Sequence, residues 1–126
     1  MAIKRCPADI AFSKAMRLSR PACEVCGKTD SLENCHIFGR RQKSVRWDTL
    51  NCIIMCHHHH RYYTENPVEW TRFLEGYLGK GYLDILNEKR NTIFKTTKAI
   101  RSDIAKHYRA EIKKLEAGPH TLVSYQ

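Results

Sequence analysis

The stretch CEVCGKTDSLENCHIFGRRQKSVRWDTLNCIIMCHHHH, residues 23–60, decides how this chain folds. It opens with Cys23 and Cys26, two residues apart and followed at once by Gly27, and it closes with Cys56 and His59 at the same spacing. A tight C-x-x-C turn brings two thiolates to one point. A C-x-x-H set at a strand-to-helix junction adds a third thiolate and an imidazole, which completes the donor set of tetrahedral zinc. Four protein donors leave no open coordination position, so such a zinc is structural. It would staple the entry of the first strand to the helix after Cys56 and make up for a modest core. Among the four adjacent histidines, His57 is too close to Cys56 to share its ion. His60 lies one residue farther round the helix than His59 and is free for a second site. His57 and His58 read as exposed or packing residues.

Between the two halves of the clamp the residues favour strand. Leu32 to Ile37 and Val45 to Met55 are rich in β-compatible side chains, and Gly39 with a polar, basic stretch separates them, which predicts two strands joined by a basic loop. After Cys56 the residues suit a helix up to Thr64. Asn66 and Pro67 then start another, Pro67 to Leu78, with Val68, Phe73, Leu74, Tyr77 and Leu78 as its buried stripe. Ahead of the clamp, Asp9 to Leu18 places Ile10, Ala11, Lys14 and Leu18 at helical spacings behind Pro7, a short basic helix that ends before Pro21. Beyond a turn at Gly79 and Gly81 the chain reads as helix apart from residues 87–97. Ile100, Ile104, Tyr108, Ile112 and Leu115 draw one apolar stripe, to be covered within the chain or by a second copy, before Pro119 and a loose end. The expected fold class is α+β: a small zinc-stapled ββα core over residues 23–66, a basic helix within 1–22 and a helical extension over 67–126, all in a single domain.

The 126 residues suffice for one ordinary domain and exclude a multi-domain machine. Nothing approaches the roughly 18 consecutive apolar residues of a membrane span. The N-terminal MAIKRCPADIAFSK lacks a hydrophobic run or cleavage site, so the expectation is a soluble protein in a reducing cytosol. Lys and Arg number 22 against 13 Asp and Glu, a net charge of +9 that suits a polyanionic partner. Arg40, Arg41, Lys43 and Arg46 fall within seven residues with no acid among them, a cluster suited to phosphates. Arg17 and Arg20, with Lys14, would extend that track along the first helix. Trp47, Cys35 and Cys52 read as core residues.

His36 in the first strand, Asn51 entering the second and His60 on the following helix stand in the order His, Asn, His. That order resembles the HNH nucleases, whose ββα-metal site lies beside such a zinc. The blocks ADIAFSKAMRLSRPACEVCG, NCHIFGRR, SVRWDTLN and MCHHHH resemble still more closely the phage NinG/Rap family of recombination endonucleases, over about residues 8–66. The resemblance implies a phage-encoded enzyme in the cytoplasm of a bacterial host that hydrolyses phosphodiester bonds of DNA, branched or otherwise recombination-intermediate. It implies His36 as the base that takes a proton from water and His60 as the holder of a catalytic Mg2+ or Mn2+. Asn51 would orient His36 or hold the strand geometry, with Arg40 and Arg41 at the phosphate. These residue types suit that chemistry. A homodimer would supply the two active sites that paired nicks across a junction require.

One departure stands out. Many HNH sites carry an aspartate immediately before the first histidine, and this chain has Cys35, a poor partner for magnesium. Either His60 holds the ion with water and substrate oxygens, or a softer ion is used, or Asp48 reaches in, or cleavage has been lost. A non-catalytic zinc-stabilised DNA-binding module and an adaptor built on the long C-terminal helix are the competing readings.

Overall fold

The computed structural model describes residues 4–126, so the first three residues of the expected 1–22 segment lie outside the described residues. Helix α1 (Pro7–Ser19) starts two residues before Asp9. Pro7 fits the first helical turn, where no N–H is needed, and the Asp9 carboxylate accepts the Cys6 backbone N–H at 2.8 Å. Its buried face is Ala8, Ala11, Phe12, Ala15 and Met16, whereas Ile10 and Leu18 of the expected stripe face outward, Ile10 being 55% exposed. The small alanines let the last helix lie close along α1, and Ile104, Tyr108 and Ile112 from that helix fill the seam. The C-terminal stripe is thus covered within the chain.

Strands β1 (Leu32–His36) and β2 (Cys52–Cys56) pair antiparallel, with Leu32 opposite Cys56 and His36 opposite Cys52. The second strand starts at Cys52 and not at Val45, because residues 42–51 fold as successive tight turns. The N–H groups of Val45, Asp48 and Asn51 reach the carbonyls of Gln42, Val45 and Asp48 at 3.1, 3.2 and 3.0 Å. Val45 and Trp47 are fully buried from this loop. Every residue of β2 is buried: Cys52 and Ile54 join the core under α1, and Ile53, Met55 and Cys56 join a second core with Cys23, Cys35 and Leu74.

The remaining helices are α2 (His57–Glu65), α3 (Pro67–Leu78), α4 (Lys80–Arg90) and α5 (Lys98–Ala117). In α3 only Leu74 is buried; Phe73, Leu78 and Trp70 pack partly against the second core, and Val68 and Tyr77 of the expected stripe are exposed. Gly79, at φ +86°, lets α3 turn directly into α4. The Thr97 hydroxyl caps α5 by accepting the Ile100 N–H at 3.1 Å. No helix among the described residues is long and apolar enough to cross a membrane.

The expected loose C-terminal end is tied down instead. Buried Glu111 accepts the Val123 N–H at 2.7 Å and pairs with His120 at 3.0 Å. Burial opposes its ionisation, but His120, Val123 and Lys114 outweigh that and hold the carboxyl at about 2. Ser124 accepts the Thr49 N–H at 3.1 Å, and Gln126 accepts from the Trp47 N–H at 2.7 Å. The Tyr108 hydroxyl donates to the Trp47 carbonyl and accepts the Tyr125 N–H at 3.0 Å. Tyr108→Phe, which orphans both backbone groups, is expected to cost about 1–3 kcal/mol in urea unfolding. A cost under about 0.5 kcal/mol would mean that the tail does not brace the loop.

Candidate functional site

The clamp is assembled by two local turns. Gly27, at φ +78°, closes the knuckle: its N–H reaches the Cys23 carbonyl at 2.8 Å, and the Cys23 N–H reaches the Lys28 carbonyl at 2.8 Å. Cys56 ends β2, and His59 follows on the first turn of α2. The donor atoms of Cys23, Cys26, Cys56 and His59 all lie within 4.8 Å of one another. The Cys26 and Cys56 sulfurs are 4.0 Å apart, and the Cys56 sulfur stands 3.3 Å from His59 Nδ1. Tetrahedral zinc sets these edges at about 3.8 Å between sulfurs and about 3.6 Å from sulfur to nitrogen. The four residues are close enough to hold a metal ion, and the set fits structural zinc. Burial disfavours a thiolate at Cys23, but backbone N–H groups of Cys56, Cys26 and Val25 more than offset it and bring the thiol down to about 7.

Glu24 locks the knuckle onto the hairpin. Its N–H bonds the Ile54 carbonyl at 2.8 Å and its carboxylate accepts the Ile54 N–H at 2.6 Å, imitating a third strand. Arg20, expected on the DNA track, is turned to this joint. It donates to Glu24 at 3.4 Å and to the Cys52 carbonyl at 3.1 Å, and it lines a separate cavity beside His120 and Thr121.

A cleft of about 530 Å³ opens between α1, β1 and α2, lined by Arg5, Arg17, Glu33, His36, Arg40 and His60 among others. His36 and His60 also share an apolar recess of about 190 Å³ walled by Tyr63 and Trp70, so both rings face common space. His36 donates from Nε2 to the Arg46 carbonyl at 2.9 Å, which leaves Nδ1 with the free lone pair. Burial is the main influence on His36 and pushes its pKa below the ordinary value, although the Arg46 carbonyl and the Asp9 charge act the other way.

Asn51 does not touch His36. It is fully buried in a short turn ahead of β2, where its side chain accepts the Phe38 N–H at 2.9 Å and donates to the Phe38 carbonyl at 2.8 Å. Its own carbonyl takes the Ile37 N–H at 2.7 Å. Asn51 therefore pins the chain just after His36.

Arg46, expected among the phosphate contacts, is buried and engaged. Its guanidinium donates to Asp9 at 2.9 and 2.6 Å, and Trp47 Nε1 donates to the same carboxylate at 3.1 Å. Burial opposes the Asp9 charge, yet the Arg46 bonds and charge and the Cys6 N–H hold its carboxyl below the usual range. Arg40 lines the cleft, 3.9 Å from Asp9, while Arg41 and Lys43 are exposed on the adjoining loop. Arg17 is exposed at the rim.

Cys35 belongs to the second core and lines the recess shared by His36 and His60, and burial pushes its thiol far up. Asp48 is unavailable: it is fully buried, accepts the Leu50 N–H at 2.9 Å and pairs with Lys89. Three cleft residues went unread in the sequence. No spacing signal joins Asp9, Arg5 or Glu33 to the histidines. Glu33 meets both His57 and His60, at 2.9 and 2.6 Å. No protein family, characterised protein or solved structure matches the chain.

Proposed function

We propose that this chain is a metal-dependent DNA endonuclease of the HNH type, acting on branched or recombination-intermediate DNA. The observation that carries the reading is the pair His36 and His60 in one cationic cleft, with His36 Nδ1 left unprotonated by the Arg46 carbonyl. Water attacks the phosphorus and gives its proton to His36 Nδ1, while the bond from phosphorus to the 3′ oxygen breaks and that oxygen takes a proton from solvent. Arg40, Arg17 and Arg5 line the cleft where they can pair with phosphate oxygens. His60 would hold Mg2+ or Mn2+, which supplies charge stabilisation at the phosphoryl and leaving oxygens. Structural zinc at Cys23, Cys26, Cys56 and His59 keeps the hairpin and α2 in register around this cleft.

The test is cleavage of duplex, single-stranded and four-way-junction DNA with Mg2+, Mn2+ or chelator. His36→Ala is expected to lose about 100- to 10,000-fold in rate, the worth of a general base, while circular dichroism and zinc content stay unchanged. Because the base works unprotonated and burial lowers its pKa, the acid limb of kcat/KM should fall below pH 6.5, with a plateau at neutral pH. Equal cleavage by His36→Ala and the wild type would overturn the assignment. A second reading, a zinc-stabilised DNA-binding module without catalysis, is favoured by the neutral, buried Cys35 where an acid is usual. DNA binding with no nicking under any divalent ion would select it.

A further inference from the structure

We propose that Glu33 is the positioning residue of the cleft, a carboxylate pinned by His57 that fixes the ring of His60 so that Nε2 is its one free donor. This inference deepens the nuclease reading and rests on it for the role of His60. His57 and His60 stand three apart on α2, so both face β1 across the junction. Glu33 Oε1 lies 2.6 Å from His60 Nδ1, and Oε2 lies 2.9 Å from His57 Nδ1. Each carboxylate oxygen thus meets its own imidazole. With Nδ1–H given to Glu33, His60 has only the Nε2 lone pair to offer an ion.

The alternatives for an acid in this cleft are few. Asp9, the other carboxylate that lines it, is taken up by Arg46 and Trp47. Cys35 is buried and Asp48 is paired with Lys89. The histidine run then divides its labour: His57 holds the carboxylate, His59 belongs to the zinc clamp, and His60 receives its orientation from Glu33. His58 packs edge-on against His59, at 5.1 Å between ring centres.

The experiment measures Mn2+ binding by electron paramagnetic resonance to the zinc-loaded full chain, alongside DNA cleavage as a function of Mn2+ concentration. Glu33→Ala and the near-isosteric Glu33→Gln are expected to weaken Mn2+ binding by about 10- to 100-fold, the usual effect of losing the carboxylate behind a ligating histidine. Zinc content should hold, and cleavage should return at raised Mn2+, so that the apparent KM for metal moves more than kcat. His57→Ala should give a smaller loss in the same direction. His60→Ala should remove the Mn2+ site. Should Glu33→Ala misfold, Glu33→Gln carries the test. Mn2+ binding that needs His60 but ignores both Glu33 variants overturns this proposal alone. A wild-type protein that binds no Mn2+ overturns it together with the nuclease reading. Glu33-dependent Mn2+ binding in a protein that cuts no DNA upholds the site and overturns only the nuclease.

Discussion

Stripping the clamp of its metal, or replacing Cys56 with Ala, is expected to lower the melting temperature by more than about 10 °C or to abolish a cooperative transition. Cys56 ends β2 and caps α2 while its sulfur stands between those of the knuckle and His59. Without the ion, the knuckle is held to β2 by the Glu24 hydrogen bonds and by the packing of Cys23 against Ile53, Met55 and Cys56. Small cores depend on such staples, because binding free energy of a structural zinc enters directly as folding free energy. Native mass spectrometry should find a single zinc per chain, lost with Cys23→Ser or Cys56→Ala and kept with His58→Ala. Identical melting of zinc-loaded and chelator-treated protein would dispose of the clamp as a structural element.

Asp9→Ala should be the most damaging change on the opposite side of the hairpin, costing about 3–5 kcal/mol, because it leaves the buried Arg46 guanidinium uncompensated. Asp9 is 5% exposed and takes three donors from Arg46 and Trp47. Its pKa lies below the ordinary 3.8, so the stability it contributes is complete above that value and is lost as the pH falls through the lower native one. Replacing the pair together, Asp9→Leu with Arg46→Met, should recover much of the loss, since an apolar pair has no stranded charge. Urea titrations of the single and double variants separate these outcomes. A single-variant cost under about 1 kcal/mol would show that solvent reaches the pair and screens it. Because the Arg46 carbonyl holds His36, Asp9→Ala should also slow any cleavage that depends on that imidazole.

The elements set by short-range rules were legible in the residues. Cys23, Cys26, Cys56 and His59 announce themselves by spacing, and the helix after Cys56 and the one starting at Pro67 follow from their flanking breakers. Val45 to Asn51 was misread because β-branched and aromatic side chains record that a residue will be buried, not that it will sit in a strand. The site's polar wiring was illegible for a different reason. Arg46 meets Asp9 across 37 positions, and Glu33 meets His60 across 27, and no local pattern encodes such partners. An arginine in a basic run looks like a surface charge until its carboxylate is located. The tail reads as loose because it follows the helix-ending Pro119 at the chain end, yet Leu122 and Tyr125 pack on the core and Ser124 and Gln126 attach through side-chain hydrogen bonds to loop N–H groups.

Strand β2 lends one flank to each of two cores, with Cys52 and Ile54 toward the helices and Ile53 and Met55 toward the metal clamp. A five-residue party wall of this kind leaves neither compartment able to renovate alone. An enlarged side chain on one flank displaces the backbone that the other flank is packed against. Evolution of the helical half and of the metal half is therefore coupled through these few positions, and divergence in such a chain should accumulate on its outer helical faces while the party wall changes slowly.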